Sequence, residues 1–466
     1  MKSIRHPLES KGRPDPAIRR VARRAASIVA ALLAFVWAGC DRPFVEISTP
    51  EIEILEPDPN RIVTDARVEF AVRASSFRPI DRVVLAGEPM DFNASTRVWS
   101  MSVDVAPGLS ELVITAYDTQ GVAGTDTAVV VYIPFTFSLS PASLPFGRGN
   151  HAAILMTNGD ILVTGGSFTP GGEGTDEALI FTPGTLSFDV LPNPMTKPRV
   201  GHTMVNTPDG RVLIVGGGSR GLIRDVLTLV VEPEIFDPVT GEFNTVPVRG
   251  DPILRAEHTM SARNTNSGFY IDLFGGIGDV RAGSSQELGI RPDIRTFLFH
   301  NDTLIARSPD VGGYLSEPIS GHTQASLSSR SDLEADRYLI HGTWFGTEFF
   351  ESTSFTVDFA DSLGLLPVET GVTLSPRTHH ASAALAPGLV ATFGGIQGES
   401  GPVVGSIEIF ADRSDRFLTL PIQARPLFRY QHTATKLADN RILLAGGFDT
   451  NGNSLSLVEY FVFSAQ

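Results

Sequence analysis

Three stretches of the sequence share one pattern and decide the fold. They read HAAILMTNGDILVTGG at 151–166, GHTMVNTPDGRVLIVGG at 201–217 and QHTATKLADNRILLAGG at 431–447. In each, a histidine opens one short apolar segment, a turn follows, and a second apolar segment closes on two glycines. Looser copies bring the histidines of the pattern to His151, His202, His258, His322, His380 and His432, at intervals of 51, 56, 64, 58 and 52 residues. This long period, with strand-like content and no helical pattern, predicts an all-β chain that ends in a six-bladed β-propeller.

Around these histidines the repeat resembles the kelch repeat, in which Arg-x-x-His is followed by Gly-Gly and an apolar strand that ends in an aromatic residue. The fourth unit departs from the pattern, because Gly342-Thr343 replaces the glycine pair. In this unit we expect Ser320 at the position of the arginine. The resemblance implies a kelch-type propeller at 134–466. Because the histidines and arginines recur once in each unit, we expect them to pack and hydrogen-bond at the blade corners.

The two ends of this region predict how the ring closes. The last unit ends in LVEYFVFSAQ at 457–466, which supplies a third strand and no fourth. The segment TFSLSPASLPFGRGNH at 136–151 parallels SFDVLPNPMTKPRVGH at 187–202. We therefore expect an N-terminal strand to complete the C-terminal blade, which leaves no exposed sheet edge.

A separate small domain is predicted at 52–133. Five alternating segments at 67–74, 81–87, 97–105, 111–118 and 127–133 are separated by turn sequences, a pattern typical of a β-sandwich. The last of them belong to ELVITAYDTQGVAGTDTAVVVY at 111–132, which resembles bacterial immunoglobulin-like domains. Asp118 is expected to cap the turn of this hairpin through backbone hydrogen bonds.

The N-terminus has the layout of a secretory signal. A basic cluster at 19–24 precedes the apolar run AASIVAALLAFVWAG at 25–39, and Cys40, the only cysteine of the chain, follows directly. The run is too short to span a bilayer. It resembles a bacterial lipoprotein signal, which implies cleavage after residue 39, acylation of Cys40 and a tether at 40–51. The expected location is the cell envelope, on a membrane that faces the periplasm or the cell exterior.

Charge argues against a nucleic-acid partner. The net charge is −15, and the first 39 residues hold eight Lys or Arg against two acids, so the remainder is more acidic still. Such a chain is repelled by phosphate backbones.

Recognisable catalytic and metal motifs are missing from the sequence. It contains no HExxH or P-loop pattern, and the lone Cys40 rules out the Tyr-Cys crosslink of radical-copper oxidases. The pair His379-His380 lacks a spaced third ligand for zinc. We therefore expect no cofactor, no metal and no catalytic residue.

Ligand-binding residues are often carried by loops on a rigid scaffold, so we expect a ligand to bind at the loops around the blades. Loops before each histidine and after each glycine pair should share one rim, named here the loop rim, while tight turns such as Asn158-Gly159 occupy the opposite turn rim. Long loops at 218–233 and 277–293 and the atypical strand YLIHGTWFG at 338–346 point to candidate ligand-binding residues. These candidates are Arg220, Arg281, His341 and Trp344.

The resulting hypothesis is a membrane-anchored binding module of the cell envelope, which holds a protein or a glycan without catalysis. The alternative is a carbohydrate-active enzyme similar to the bacterial kelch sugar epimerases or mutarotases. The number of titratable groups at one pocket distinguishes the binding module from the enzyme, because an enzyme should bring several such groups together.

Overall fold

The structure is a computed structural model that describes residues 48–58, 62–221, 228–279, 288–307, 313–328, 337–345, 350–359, 365–398, 401–420 and 428–463. Thr49–Gln466 form one compact unit. The proposed signal, Cys40 and Arg281 lie outside the described residues.

Two four-stranded antiparallel sheets form a β-sandwich at the start of this unit. Their strands are β1 (Glu51–Glu56), β2 (Arg67–Ser75), β3 (Ile80–Leu85), β4 (Glu88–Pro89), β5 (Asp91–Asn93), β6 (Val98–Asp104), β7 (Gly108–Asp118) and β8 (Ala123–Tyr132). The sheet orders are β1-β2-β6-β5 and β4-β3-β7-β8. Alternation in β2 puts Val68, Phe70 and Val72 inward, where they share a core with Val83 and Ile114 of the other sheet.

Asp118 caps the β7–β8 turn as expected. Its Oδ1 accepts hydrogen bonds from the backbone N–H groups of Gln120 at 2.8 Å and Val122 at 2.9 Å. Arg78 lies 3.3 Å from the same carboxylate. Burial alone would raise the pKa of Asp118, but these hydrogen bonds and the guanidinium lower it below its usual range.

After β9 (Phe135–Leu139), the described residues form six blades. Blade 1 comprises β10 (Ala152–Leu155), β11 (Ile161–Thr164), β12 (Ala178–Thr182) and β13 (Ser187–Val190). Blade 2 comprises β14 (Thr203–Asn206), β15 (Val212–Val215), β16 (Glu234–Asp237) and β17 (Glu242–Thr245). Both are antiparallel meanders in chain order.

Blade 3 is more elaborate than the predicted four strands. Its main sheet has the order β18-β25-β24-β21-β20, with β18 parallel to β25, and a side sheet has the order β19-β22-β23. The strands are β18 (Val248–Arg249), β19 (Arg255–Ala256), β20 (Thr259–Thr265), β21 (Gly268–Phe274), β22 (Ile277–Asp279), β23 (Leu288–Ile290), β24 (Ile294–His300) and β25 (Thr303–Ala306).

Blades 4 and 5 return to the simple four-stranded order. Blade 4 comprises β26 (Thr323–Ser326), β27 (Arg337–Phe345), β28 (Phe350–Phe359) and β29 (Leu365–Glu369). Blade 5 comprises β30 (Ala381–Ala386), β31 (Leu389–Phe393), β32 (Glu408–Ala411) and β33 (Arg416–Thr419), with a 3₁₀ turn at Asp412–Ser414. No helix in the described ranges is long and apolar enough to cross a membrane.

Blade 6 confirms the predicted closure. Its strands β34 (Thr433–Lys436), β35 (Arg441–Ala445) and β36 (Val458–Phe463) are completed by β9, in the order β34-β35-β36-β9. The register pairs Phe461 with Phe137 and Phe463 with Phe135. The Phe461 ring lies 5.5 Å from that of Phe135 and 5.2 Å from that of Phe137, so aromatic packing reinforces the backbone pairing.

The six blades close into a ring around one axis. The first strand of each blade contacts the first strands of both neighbours, in the cycle β10, β14, β20, β26, β30, β34 and back to β10. The second strands are fully buried between blades, as in β11 and β15, which explains why ILVT and VLIV are apolar on both faces.

The sandwich shares a hydrophobic core with blades 5 and 6. Ile62, Val131 and Ile133 pack in one cluster with Leu385 and Leu389, which flank the β30–β31 hairpin on the turn rim. Arg413 in the neighbouring 3₁₀ turn lies 3.8 Å from Glu111 of β7. The sandwich therefore contacts the turn-rim side of blade 5 and leaves the loop rim uncovered.

The structure corrects the alignment of the fourth unit. In blades 1, 2, 3 and 6 an arginine carbonyl accepts a hydrogen bond from the second glycine of the preceding blade, and in blade 4 the carbonyl of Ile319 accepts it from Gly276 at 2.7 Å. Ile319 therefore occupies the arginine position, and Ser320 is its neighbour. The Arg-x-x-His spacing agrees, since Ile319 is the residue three positions before His322.

Candidate functional site

The six repeated histidines are buried between blades, as expected. His151 Nε2 lies 3.1 Å from Thr433 Oγ1 of blade 6, and His258 Nε2 lies 3.0 Å from Thr203 Oγ1 of blade 2. Burial, with a smaller contribution from Arg148, lowers the pKa of His151 to about 3. These rings are thus neutral and link neighbouring blades.

Five buried arginines on the loop rim are each neutralised by a carboxylate of their own blade. Arg148 Nη2 lies 2.6 Å from Glu177, and Arg255 Nη2 lies 2.7 Å from Asp293. The full set of pairs is Arg148–Glu177, Arg199–Glu234, Arg255–Asp293, Arg377–Glu408 and Arg429–Glu459. Each arginine also donates to the carbonyl of the first glycine of the pair, so its Nη groups are engaged within the blade.

One residue before each histidine, the backbone forms a closed ring of hydrogen bonds. Each of these residues donates its N–H to the carbonyl of its counterpart in the preceding blade, at 2.7–3.1 Å, and the sixth bond returns to the first. The six residues are Asn150, Gly201, Glu257, Gly321, His379 and Gln431. Since one comes from each blade in cyclic order, they encircle the axis on the loop rim, and we name this feature the axial mouth.

All six residues of the axial mouth adopt the left-handed conformation. Four of them are not glycine, with φ of 57° at Asn150, 52° at Glu257, 53° at His379 and 54° at Gln431. Non-glycine residues in this region cost on the order of 1–3 kcal/mol each and concentrate at functional sites. Here the ring of hydrogen bonds holds this conformation at four positions that carry polar side chains.

The two glycines of the axial mouth make room for their neighbours. A Cβ on Gly201 would lie 3.2 Å from Glu257 Cγ and 3.6 Å from Asn150 Nδ2. A Cβ on Gly321 would lie 3.0 Å from His379 Nε2. The side chains of Asn150, Glu257 and His379 therefore form a belt over the glycines.

Within this belt Glu257 and His379 form a charged pair. His379 Nε2 lies 3.4 Å from Glu257 Oε1, which suits an ion pair, but hydrogen-bond geometry is not met at either ring nitrogen of His379. Burial alone would lower the pKa of His379, but the Glu257 carboxylate raises it above its usual value. The side chains keep 9% (Glu257) and 19% (His379) of their surface exposed, while both ring nitrogens of His379 are themselves buried.

A second polar group at the axial mouth is also unsatisfied. Asn150 Nδ2 is buried and has no hydrogen-bond partner among the described residues. Buried polar atoms are nearly always paired, so each exception calls for a reason. A ligand that reaches the belt would supply the missing partners for Asn150 and His379.

Aromatic side chains occur on the loops of blades 1 and 6, the blades that carry Asn150 and Gln431. Phe146 and Phe168 are exposed, and their rings meet edge to face with centroids 6.3 Å apart. Tyr430, next to Gln431, is half-buried and packs against Phe448. Exposed apolar surface is thus present on the blade 1 loops of the loop rim.

Of the four residues predicted from the sequence, the structure describes the side chains of Arg220 and His341, and these two lie on different blades. Arg220 is exposed and pairs with Glu173 of the blade 1 loop, and Arg281 lies outside the described residues. Trp344 belongs to β27 and its backbone pairs with Glu351, but its side chain is not among those described.

His341 is fully buried and is no surface group. Its Nε2 lies 2.9 Å from Ser382 Oγ and 3.1 Å from Thr392 Oγ1, and its ring is 4.5 Å from that of His380. Burial, followed by Arg377 and His322, lowers its pKa to about 3. The contacts of His341 are those of an interface between blades 4 and 5.

Sequence reasoning missed the axial mouth, although a signal was present. The position before the repeated histidine reads Asn, Gly, Glu, Gly, His and Gln around the ring. The next position is histidine in every unit, so polar variation directly before it is a signal that could single out this position. In the sequence His379 stands out only as the neighbour of His380, whose Nε2 lies 2.9 Å from Thr323 Oγ1 between blades.

Two other concavities are lined by carboxylates and lie away from the axis. One, of about 400 Å³, borders the sandwich residues Glu56, Asp58 and Asp65. The other, of about 200 Å³, lies at the outer strands of blade 4 with Glu317, Glu351 and Glu369. No group of three metal-ligating side chains occurs within the described parts of the chain.

Fold and site together define the class: a six-bladed β-propeller with a polar axial mouth on its loop rim. Among solved structures the chain is similar to that titled "Structure of YjhT", a β-propeller, with a TM-score of 0.51 and 11% identity. The match covers 69% of this chain and 98% of that one. At this identity the likeness concerns the fold alone. No family model and no curated protein sequence matches the chain.

Proposed function

We propose that this protein is a kelch-type propeller lipoprotein of the bacterial cell envelope that binds a glycan at its axial mouth without transforming it. The observation that carries the proposal is the belt of Asn150, Glu257 and His379. The amide nitrogen of Asn150 and both ring nitrogens of His379 are buried without a hydrogen-bond partner among the described residues, while the side chains of Glu257 and His379 remain partly exposed. Sites for small ligands combine a few convergent polar groups with apolar surface, and Phe146 and Phe168 supply that surface here.

The attachment proposed for Cys40 fits this role. Ten residues lie between Cys40 and Glu51, the start of β1, so the tether reaches at most about 40 Å. The immunoglobulin-like sandwich meets the propeller on the turn-rim side, which leaves the loop rim open to envelope components.

A carbohydrate-active enzyme is the second candidate, and one observation favours it. Glu257 and His379 place a carboxylate and an imidazole with a raised pKa within 3.4 Å of each other. A carboxylate that accepts a proton and an imidazolium that donates one are the pair that sugar ring opening and closure needs. Only two titratable groups meet at the axial mouth among the described residues, which is fewer than a full catalytic constellation.

Binding and turnover are separated by one set of assays on the full-length protein in detergent. A glycan array and a pull-down from envelope extract should give a ligand that is recovered unchanged after prolonged incubation. Conversion of that ligand by the wild type, lost in Glu257→Gln, would replace the binding module with the enzyme. Capture of an envelope protein and no glycan would make the ligand a protein. Trp344→Ala, tested in parallel, reports whether blade 4 contributes to the same surface.

Lipid attachment has its own test. Cys40→Ser should release the protein from the membrane fraction and abolish labelling by a fatty-acid analogue. Unchanged labelling in that variant would contradict the anchor and leave the axial mouth unaffected.

A further inference from the structure

We propose that the axial mouth recognises an uncharged, polyhydroxylated ring, that is, one neutral pyranose unit of the glycan. The inference rests on the proposed function and narrows it to a ligand class and a set of contacts. It excludes acidic sugars, phosphates and other anions as the group held at the axis.

The first argument is charge balance. Each of the five buried arginines of the loop rim faces a carboxylate of its own blade, so none offers an unpaired positive charge. At the axis, Glu257 compensates His379. An anionic ligand would have to displace Glu257 from this pair, and a cationic one would have to displace His379. A neutral ligand avoids both costs, because it leaves the buried charges compensated.

The second argument is the mixture of donors and acceptors. The carboxylate of Glu257 only accepts, the amide of Asn150 offers an unpaired donor, and both ring nitrogens of His379 lack a hydrogen bond. A hydroxyl group donates one hydrogen bond and accepts others, so adjacent hydroxyls on one ring satisfy acceptor and donor groups side by side. A phosphate or a carboxylate offers acceptors only and leaves Glu257 opposed by like charge.

The third argument is the apolar border. A pyranose ring carries C–H groups on its face in addition to hydroxyls on its edge. Phe146 and Phe168 lie on the two blade 1 loops that flank Asn150, since Gly149 and Ser167 of these loops form a β-bridge. An aromatic surface beside a hydroxyl-binding belt matches this amphipathic shape.

Glycine substitutions at the axial mouth can remove a side chain and keep the backbone conformation. Glycine already occupies two of the six axial positions, and its backbone adopts positive φ without strain. Glu257→Gly and Asn150→Gly therefore remove a side chain and keep the ring of hydrogen bonds. Glu173→Gln, at an exposed carboxylate of the loop rim paired with Arg220, is the matched control.

The experiment measures binding of the full-length protein to three matched oligosaccharide sets that are neutral, acidic and amino-substituted. We expect selection of neutral members, with affinity reduced about 10- to 100-fold in Glu257→Gly, reduced in Asn150→Gly and unchanged in Glu173→Gln. Thermal melting of each variant, equal to wild type, verifies that the fold is retained.

Other outcomes overturn the inference in distinguishable ways. Selection of acidic sugars, or neutral binding that survives Glu257→Gly and Asn150→Gly, would contradict the axial site and leave glycan binding in place. Loss of binding with a collapsed melting temperature in both glycine variants would contradict the claim that the ring tolerates glycine there. Absence of any glycan or envelope ligand would overturn the proposed function as well.

Discussion

Residues in the left-handed conformation identify the axial mouth more directly than any sequence motif. The closed ring of six backbone hydrogen bonds fixes φ near +55° at Asn150, Glu257, His379 and Gln431, and at two glycines. Such geometry is unfavourable for side chains with a Cβ. Its occurrence at four positions with polar side chains supports the proposal that these side chains contact a ligand.

A pair of substitutions at Gln431 tests this reading of the backbone. Gln431→Gly should change the free energy of unfolding by less than about 0.5 kcal/mol, because relief of strain offsets the greater entropy of the unfolded chain. Gln431→Val should cost about 2 kcal/mol, because a β-branched residue is poorly accommodated at positive φ. Denaturant unfolding measures both, and equal effects of glycine and valine would contradict the assigned conformation.

The buried histidines predict how stability depends on pH. Burial lowers the pKa of His151, His322 and His341 to about 3, from 6.5 in an exposed ring. Above pH 6.5 these histidines are neutral in both the folded and the unfolded chain, and the free energy of unfolding has its full value. As the pH falls from 6.5 toward 3, these histidines bind protons in the unfolded chain and stay neutral in the folded chain. The free energy of unfolding therefore decreases.

The measurement is the free energy of unfolding between pH 7.5 and 4.5. Each buried histidine should contribute a slope of up to about 1.4 kcal/mol per pH unit below its unfolded pKa. His202→Gln, at a ring whose pKa is lowered mainly by burial, should reduce the slope by one such contribution. A stability profile that is flat across this range would show that the rings are not held neutral.

At the scale of the blade, one buried ion pair recurs with the repeat. In blade 2, Arg199 and Glu234 both have fully buried side chains, and Glu234 also accepts a hydrogen bond from the N–H of Thr196 at 2.7 Å. Blade 4 lacks both partners, since Ile319 replaces the arginine and, in the strand register, the apolar Phe355 occupies the place of the acid. Because blade 4 has neither the arginine nor the acid at these positions, neither position buries an unpaired charge.

Breaking the pair in blade 2 should therefore be costly. Glu234→Ala is expected to destabilise the protein by about 3–5 kcal/mol, because it leaves the buried guanidinium of Arg199 without its counter-charge. Glu173→Ala removes the carboxylate of an exposed Arg–Glu pair and should cost less than about 1 kcal/mol. Thermal or denaturant unfolding gives both values, and similar costs would mean that burial of the pair is not what stabilises the blade.

Some features of the blades can be predicted from the sequence, and others arise only when the ring closes. The His and Gly-Gly spacing predicts the number of blades, and the closing partner of LVEYFVF follows from parallel segments, since both depend on local strand patterns. The axial mouth depends on the closed ring itself, which brings together Glu257 and His379 from units more than a hundred residues apart in the chain. His341 drew attention as a break in the pattern, whereas its buried contacts with Ser382 and Thr392 arise only from blade packing.

For the whole molecule, the common core of sandwich and propeller predicts joint unfolding. Ile62, Val131 and Ile133 pack in one cluster with blades 5 and 6. Trp99 lies in the sandwich and Trp344 in blade 4, and they are the only tryptophans after residue 39. We expect the fluorescence midpoints of Trp99→Phe and Trp344→Phe, each with Trp37→Phe, to coincide in denaturant. Separate transitions would show that the sandwich is an independent spacer.

The central claim concerns the axial mouth, and a structure of the protein with its bound glycan tests it most directly. The account predicts a sugar ring on the loop rim, with hydroxyl groups within hydrogen-bond distance of Glu257, His379 and Asn150 and an apolar face toward Phe146 or Phe168. A ligand bound at the outer strands of blade 4 or in the concavity of the sandwich, with the Glu257–His379 pair untouched, would contradict it.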